Sequence, residues 1–213
     1  MKKPFIMLMM SSCLLSTPSI AQVVVNDPVA TSQAVITCGN ARFTVLTPEM
    51  IRVEYSEQAK FEDRATFTIV NRKLDAPQFT KSEDDTYLYI TTSNLKLKYR
   101  KGTDPRTLPA SPSNLTITIS GNGVSSVWYP GKPDPLNLKG TSRTLDGLMG
   151  ESKRAEMENG LVSRSGWAVI DDSWASPRSD GGRSYALSPN SDMGYPWWTQ
   201  RADNHAMDTY VLG

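Results

Sequence analysis

An all-β fold, an antiparallel β-sandwich, is predicted by three features of this chain. Apolar and polar residues alternate with period two in run after run. Gly, Pro, Asn and Ser interrupt those runs at short intervals. No stretch after residue 21 has the length and 3.6-residue period of a helix. Alternation of this kind marks strands with one buried face and one wet face, the pattern of antiparallel sheets.

The strands can be taken in order. Residues 34–38 and 42–46 flank Gly39-Asn40, a two-residue turn of the type that closes a hairpin. Residues 50–55 set Ile51, Val53 and Tyr55 on one face against Arg52 and Glu54 on the other, which predicts a buried side and a solvated one. Residues 66–70 read as a further strand, with Phe67 and Ile69 alternating against Thr66 and Thr68. Residues 87–91 and 95–99 pair around Ser93-Asn94, placing Leu95, Leu97 and Tyr99 inward and Lys96 and Lys98 outward. Residues 115–119 repeat the pattern with Leu115, Ile117 and Ile119 inward. The sequon Asn114-Leu115-Thr116 reads as the entry to that strand. Residues 102–114 and 128–134, rich in Pro, Gly and Ser, read as loops within one domain.

Beyond residue 137 the alternation thins and Gly, Trp, Asp and Arg become frequent. Trp167, Trp174, Trp197 and Trp198 fall here. Two readings suit them equally: aromatics that close one end of the core, or indole faces that stack on the C–H faces of sugar rings.

The chain has 213 residues, 38% hydrophobic and 21% charged, enough apolar material for a core that needs no metal or disulfide. Its formal net charge of +1, with no basic run, argues against a nucleic-acid or anionic-membrane partner, since those need a concentrated basic face. Residues 1–21 read as an export signal. Lys2 and Lys3 precede a short apolar stretch, and Ser19-Ile20-Ala21 offers small residues for cleavage before Gln22. Without Lys2 and Lys3 the 23 basic residues fall to 21 against 22 acidic ones, a net charge of −1. The expected location is therefore periplasmic or extracellular, with no membrane association once the signal is removed. The signal also takes away Cys13, leaving Cys38, which has no partner for an internal disulfide and reads as a small core residue.

Metal and nucleophile chemistry find little support. His205 is the single histidine and sits in a polar stretch, so no metal-ligand spacing exists, and no cofactor is expected. Nucleophile-elbow and phosphate-loop patterns are absent. Glycoside hydrolysis needs two carboxylates across the scissile bond, and the candidates are Asp146, Glu151, Asp171, Asp172 and Asp180. Asp171-Asp172 stands out because it ends the apolar segment 167–170 and precedes Ser173-Trp174. A strand delivering two acids to a loop tip can bind sugar hydroxyls, although an Asp-rich turn is the plainer reading.

Two segments carry a family resemblance. Asn-Leu-Lys-Gly-Thr-Ser-Arg-Thr-Leu-Asp at 137–146 and Leu-Val-Ser-Arg-Ser-Gly-Trp-Ala-Val-Ile-Asp-Asp-Ser at 161–173 resemble the N-terminal β domain of glycoside hydrolase family 31, as found in exported bacterial members. The hairpins at 42–99 are similar to that domain too. The resemblance implies a galactose-mutarotase-like sandwich over residues 22–213, preceding a (β/α)8 barrel that carries the aspartate nucleophile and acid/base of a retaining α-glucosidase or α-xylosidase. Tyr210-Val211-Leu212-Gly213 looks like the last strand before the linker into that barrel. The barrel and both catalytic aspartates are then expected outside these residues, with no catalytic residue inside them. The implied partners are an α-linked oligosaccharide and the barrel itself.

In that family a loop of the β domain leans over the barrel and touches substrate, and residues 163–167 resemble it. Arg164, Trp167, Asp171 and Asp172 are the expected substrate-binding residues. The chain departs from the family pattern at Ser165, where relatives often carry Asp, and at Lys139, where they often carry Gly. The alternatives are a free-standing exported carbohydrate-binding module and a structural cell-surface sandwich.

Overall fold

The computed structural model describes residues 27–66, 68–106, 114–121, 123–140, 157, 159–173, 185–187, 199–201 and 207–213. The expected signal at 1–21, the acids Asp146, Glu151 and Asp180, the tryptophans Trp174, Trp197 and Trp198, and His205 lie outside these residues.

The protein is an all-β sandwich of two five-stranded antiparallel sheets. A 3₁₀ turn, Ser32–Ala34, leads into β1, Val35–Cys38. It pairs with β2, Ala41–Thr47, through the two-residue turn Gly39-Asn40. Gly39 takes φ +58°, a left-handed conformation that a glycine adopts without steric cost. Pro48 and Glu49 turn the chain into β3, Met50–Tyr55, after a bulge between Val45 and Thr47. The first sheet is completed from the far end of the sequence. Its order is β1, β2, β3, then Met207–Leu212, then Ala168–Asp171.

The second sheet follows chain order. Its strands are β4, Thr80–Glu83; β5, Tyr87–Thr91; β6, Leu95–Arg100; β7, Leu115–Gly121; and β8, Val124–Trp128. Trp128, expected at the start of a loop, closes β8 and is buried. The remaining strands are β9, Ala168–Asp171; β10, Tyr185–Leu187; β11, Thr199–Arg201; and β12, Met207–Leu212, with β10 and β11 forming a separate pair. Thus β12 lies between β3 and β9, paired with both.

The inward residues of both sheets form one core. Phe43, Val45, Ile51, Val53 and Val211 from the first sheet meet Leu88, Ile90, Leu97, Tyr99, Leu115 and Ile117 from the second. Phe43 and Tyr99 pack with ring centroids 5.1 Å apart at 59°, a tilted geometry that suits aromatic quadrupoles. Burial raises the Tyr99 phenol to about 12, and its hydroxyl donates to the Thr103 carbonyl at 2.6 Å, satisfying the one polar atom it brings into the core. Cys38 packs partly buried against the same cluster as a free thiol, and burial raises its pKa.

Two sequence expectations need correcting. Of the expected strand at 66–70, the described residues, Thr66 and 68–70, form none. The Thr66 amide donates to the Ile69 carbonyl, and the Ile69 amide to Thr66 Oγ1, so the segment closes on itself as a turn. The Arg52/Glu54 side of β3 is not solvated either: Arg52 is 2% exposed and Glu54 is 0% exposed. The segment between β3 and β4 supplies the buried Glu62, whose carbonyl accepts from Arg52, and the buried Thr66 and Arg72, which bond to Asp172 and to Tyr210 of the neighbouring strand.

Candidate functional site

The loop expected to meet a ligand, residues 163–167, is the end of a longer stretch, 159–167, that is built on a short second segment, residues 134–139. Asn137 and Ser163 form an antiparallel bridge. Around it the Leu138 amide donates to the Val162 carbonyl at 3.0 Å, and the Arg164 amide to the Leu136 carbonyl at 3.1 Å. Two polar side chains tie the segments together. Asp134, 6% exposed, accepts from Ser163 Oγ at 2.9 Å and Ser165 Oγ at 2.6 Å on one oxygen, and from Asn137 Nδ2 at 3.0 Å on the other. Asn137 Oδ1 accepts from the Lys139 and Gly160 amides, each at 2.8 Å, while its Nδ2 also reaches the Gly160 carbonyl at 3.0 Å.

Burial alone pushes the Asp134 carboxyl up. The hydrogen bonds from Ser165, Asn137 and Ser163 more than offset that, so it lies below the usual carboxylate range. The role of Ser165 is therefore visible: its hydroxyl joins loop to base through Asp134. Gly160 is required for close approach, because a Cβ there would stand 2.7 Å from the Lys139 carbonyl oxygen. Lys139 itself takes φ +68°, a left-handed conformation that favours glycine.

The four expected binding residues do not converge. Arg164 is exposed at the turn of this loop. Trp167 is 6% exposed and belongs to the sandwich core, with Lys132 Nζ 5.8 Å from its ring, so the indole is a packing element here. Asp171 ends β9 exposed, its carboxylate accepting from the Ser173 amide at 3.0 Å in an Asp-turn. Asp172 is 5% exposed and accepts from Thr66 Oγ1 at 2.6 Å, while its amide donates to the Asp208 carbonyl at 2.8 Å. At the strand rise, Trp167 and Asp172 are separated by about 16 Å along β9. Arg164 stands at the loop end of that strand and the two aspartates at the other.

Asp172 instead borders an ionic layer on the outer side of the first sheet. Arg42 makes a fork with Glu54, Nε to Oε2 at 2.6 Å and Nη2 to Oε1 at 2.8 Å. Arg52 makes a second fork with Asp208, at 2.7 and 2.5 Å, and lies 3.1 Å from Glu54. Arg72 donates to the Tyr210 hydroxyl at 2.8 Å and to the carbonyls of Pro28, Asp63 and Arg64. Burial opposes the charge on Arg52, but Asp208 and Glu54 outweigh it and raise the guanidinium pKa. Burial raises the Glu54 carboxyl, with Arg52 and Arg42 working against that rise. Arg42 and Arg52 are thus paired with the carboxylates of Glu54 and Asp208, while Arg72 is held by neutral oxygens and ties β12 to the covering segment.

Missed by sequence reasoning was Asp134, which organises the loop. Its only local signal is its place between Pro133 and Pro135 in a segment read as a loop. Also missed was the apolar surface beside it. Leu136, Leu138, Leu161 and Val162 are 53%, 54%, 63% and 62% exposed, grouped on the two bridged segments. Among the described residues no cluster of His, Cys, Asp or Glu suits a metal ion, and no helix is long and apolar enough to cross a membrane. No family model and no curated protein matches the chain.

Proposed function

We propose that this chain is the non-catalytic, carbohydrate-binding N-terminal β domain of an exported α-glycosidase of glycoside hydrolase family 31. Hydrolysis belongs to a (β/α)8 barrel that the domain abuts, and the 159–167 loop frames the α-linked oligosaccharide there. The observation that carries the reading is Lys139. Its backbone holds the left-handed conformation glycine favours, at a position where members of the resembled family often carry glycine. Three further observations support it. The domain is an antiparallel sandwich, the kind of fold the resemblance implies. The loop is pinned by Asp134 and presents Arg164 to solvent. Beside it lies a group of large exposed apolar side chains, which a partner surface would cover.

That apolar group also weighs against a free-standing binding module, which has no domain to cover it. The burial of Trp167 favours a different alternative, a structural sandwich in which the aromatic is core. An NMR titration of the purified chain with a maltooligosaccharide and a xyloglucan fragment tests the proposal. Amide shifts are expected at residues 160–166, reduced by Arg164→Ala. Absence of shifts at millimolar sugar, or shifts confined to other surfaces, would overturn it.

A further inference from the structure

The outer face of the second sheet carries a charge pattern unlike that of any other described surface. Its central strand, β6, sends Leu95, Leu97 and Tyr99 into the core and exposes Lys96, Lys98 and Arg100. At the strand rise these three cations lie in a line about 14 Å long. The residues opposite them are uncharged. On β5, Tyr87 faces Arg100, Tyr89 faces Lys98 and Thr91 faces Lys96. On β7, Thr116 faces Lys98 and Thr118 faces Lys96.

Among the described residues, none of the three cations forms an ion pair. Lys98 Nζ instead sits 4.0 Å from the Tyr87 ring centroid. Asp84, at the rim, is engaged elsewhere: it accepts from the Thr86 and Tyr87 amides and from the Tyr89 hydroxyl. Like charges on alternate residues of one strand repel, and this sheet supplies no carboxylate opposite them to relieve that repulsion.

We propose that this face is a docking surface for an acidic polysaccharide, a chain of carboxylate-bearing sugars. A linear row of unpaired cations matches a linear row of carboxylates, and each contact is a charge-assisted hydrogen bond. The Tyr89 ring offers an apolar surface to a sugar face, and the flanking threonines offer hydroxyl partners. Nucleic acid fits less well, since three cations on a chain of net charge +1 make only a weak counterion-releasing surface. An anionic bilayer fits less well too, because the tyrosines of this face are held by neighbours and Val127, on the edge strand β8, is too little apolar surface to anchor by insertion. The surface is separate from the 159–167 loop and its proposal does not depend on that loop's function.

Affinity electrophoresis of the full chain through gels containing polygalacturonate tests the proposal, with amylose gels as the neutral control. Duplex DNA and phosphatidylserine vesicles are titrated in parallel. Retardation by polygalacturonate is expected to weaken with added salt. It should fall roughly tenfold or more in the triple variant Lys96→Gln, Lys98→Gln, Arg100→Gln, because each charged contact is worth more than a neutral one. Tyr89→Ala should weaken it and Tyr89→Phe preserve it, with the far-UV circular dichroism of every variant unchanged. Equal retardation of wild type and triple variant, no retardation at low salt, or tighter binding to DNA or vesicles would overturn the proposal.

Discussion

The outer faces of the two sheets begin from the same sequence pattern and end in opposite states. On β3, Arg52 and Glu54 alternate with core residues; on β6, Lys96, Lys98 and Arg100 do the same. The first set is buried beneath the segment that follows β3, and the second is open to water. Charge sign separates them. On the first sheet Arg42 lies opposite Glu54, and the two carboxylates Glu54 and Asp208, which face each other across β3 and β12, are bridged by Arg52. Such a set neutralises itself and tolerates removal from water once every charge has a partner. On the second sheet the cations face tyrosine and threonine, so only water or an external anion compensates them. Period-two alternation therefore says which side chains share a face, while complementarity between strands decides whether that face can be covered.

The largest test of this contrast removes one partner from the covered face. Arg52→Ala leaves Asp208 and Glu54 buried without their cation, and should cost about 3–5 kcal/mol in chemical denaturation. A loss below about 1 kcal/mol, the range of surface pairs, would mean that the layer is hydrated. Next in size is Arg72→Ala, which strips hydrogen bonds from the Tyr210 hydroxyl and from carbonyls of the covering segment. A cost of about 1–3 kcal/mol is expected, with amide exchange accelerating at residues 62–72 ahead of the sheet.

The third test is by pH. The Asp134 carboxyl lies below its ordinary range in the folded protein, so its stabilising contribution is complete above the unfolded value of about 3.9. It is lost as pH falls through the lower folded value. Amide protection at Ser163 to Ser165 should therefore decline below about pH 4, and Asp134→Asn should weaken it already at pH 7. The smallest effect belongs to the open face. Lys98→Ala should change stability by no more than about 0.5 kcal/mol in the same denaturation experiment, as an exposed side chain without an ion pair.

Local pairing was readable in advance, and distant pairing was not. Gly39-Asn40, the leucines of β6 and the β7 triplet Leu115, Ile117 and Ile119 are elements whose partners lie within a few dozen residues, so alternation and turn chemistry suffice. The place of β12 between β3 and β9 brings Asp208 to Arg52 across 156 positions, which no local pattern signals. β4 was invisible because Thr80, Lys81, Ser82 and Glu83 are all exposed and show no alternation. Residues 66–70 misled because a turn held by the Thr66 hydroxyl copies a strand's composition. Of the candidate site, residues 163–167 and Arg164 were singled out by the family resemblance alone, and the structure has Arg164 exposed. The burial of Trp167 and Asp172 was not legible, since a strand end can turn either face to the core.

The family reading is tested most directly by the genomic DNA beyond codon 213, read in all three frames. An open frame encoding a (β/α)8 barrel with its two catalytic aspartates is the expected result, and makes this domain part of an exported α-glycosidase. A stop with no barrel-coding frame nearby would contradict the account.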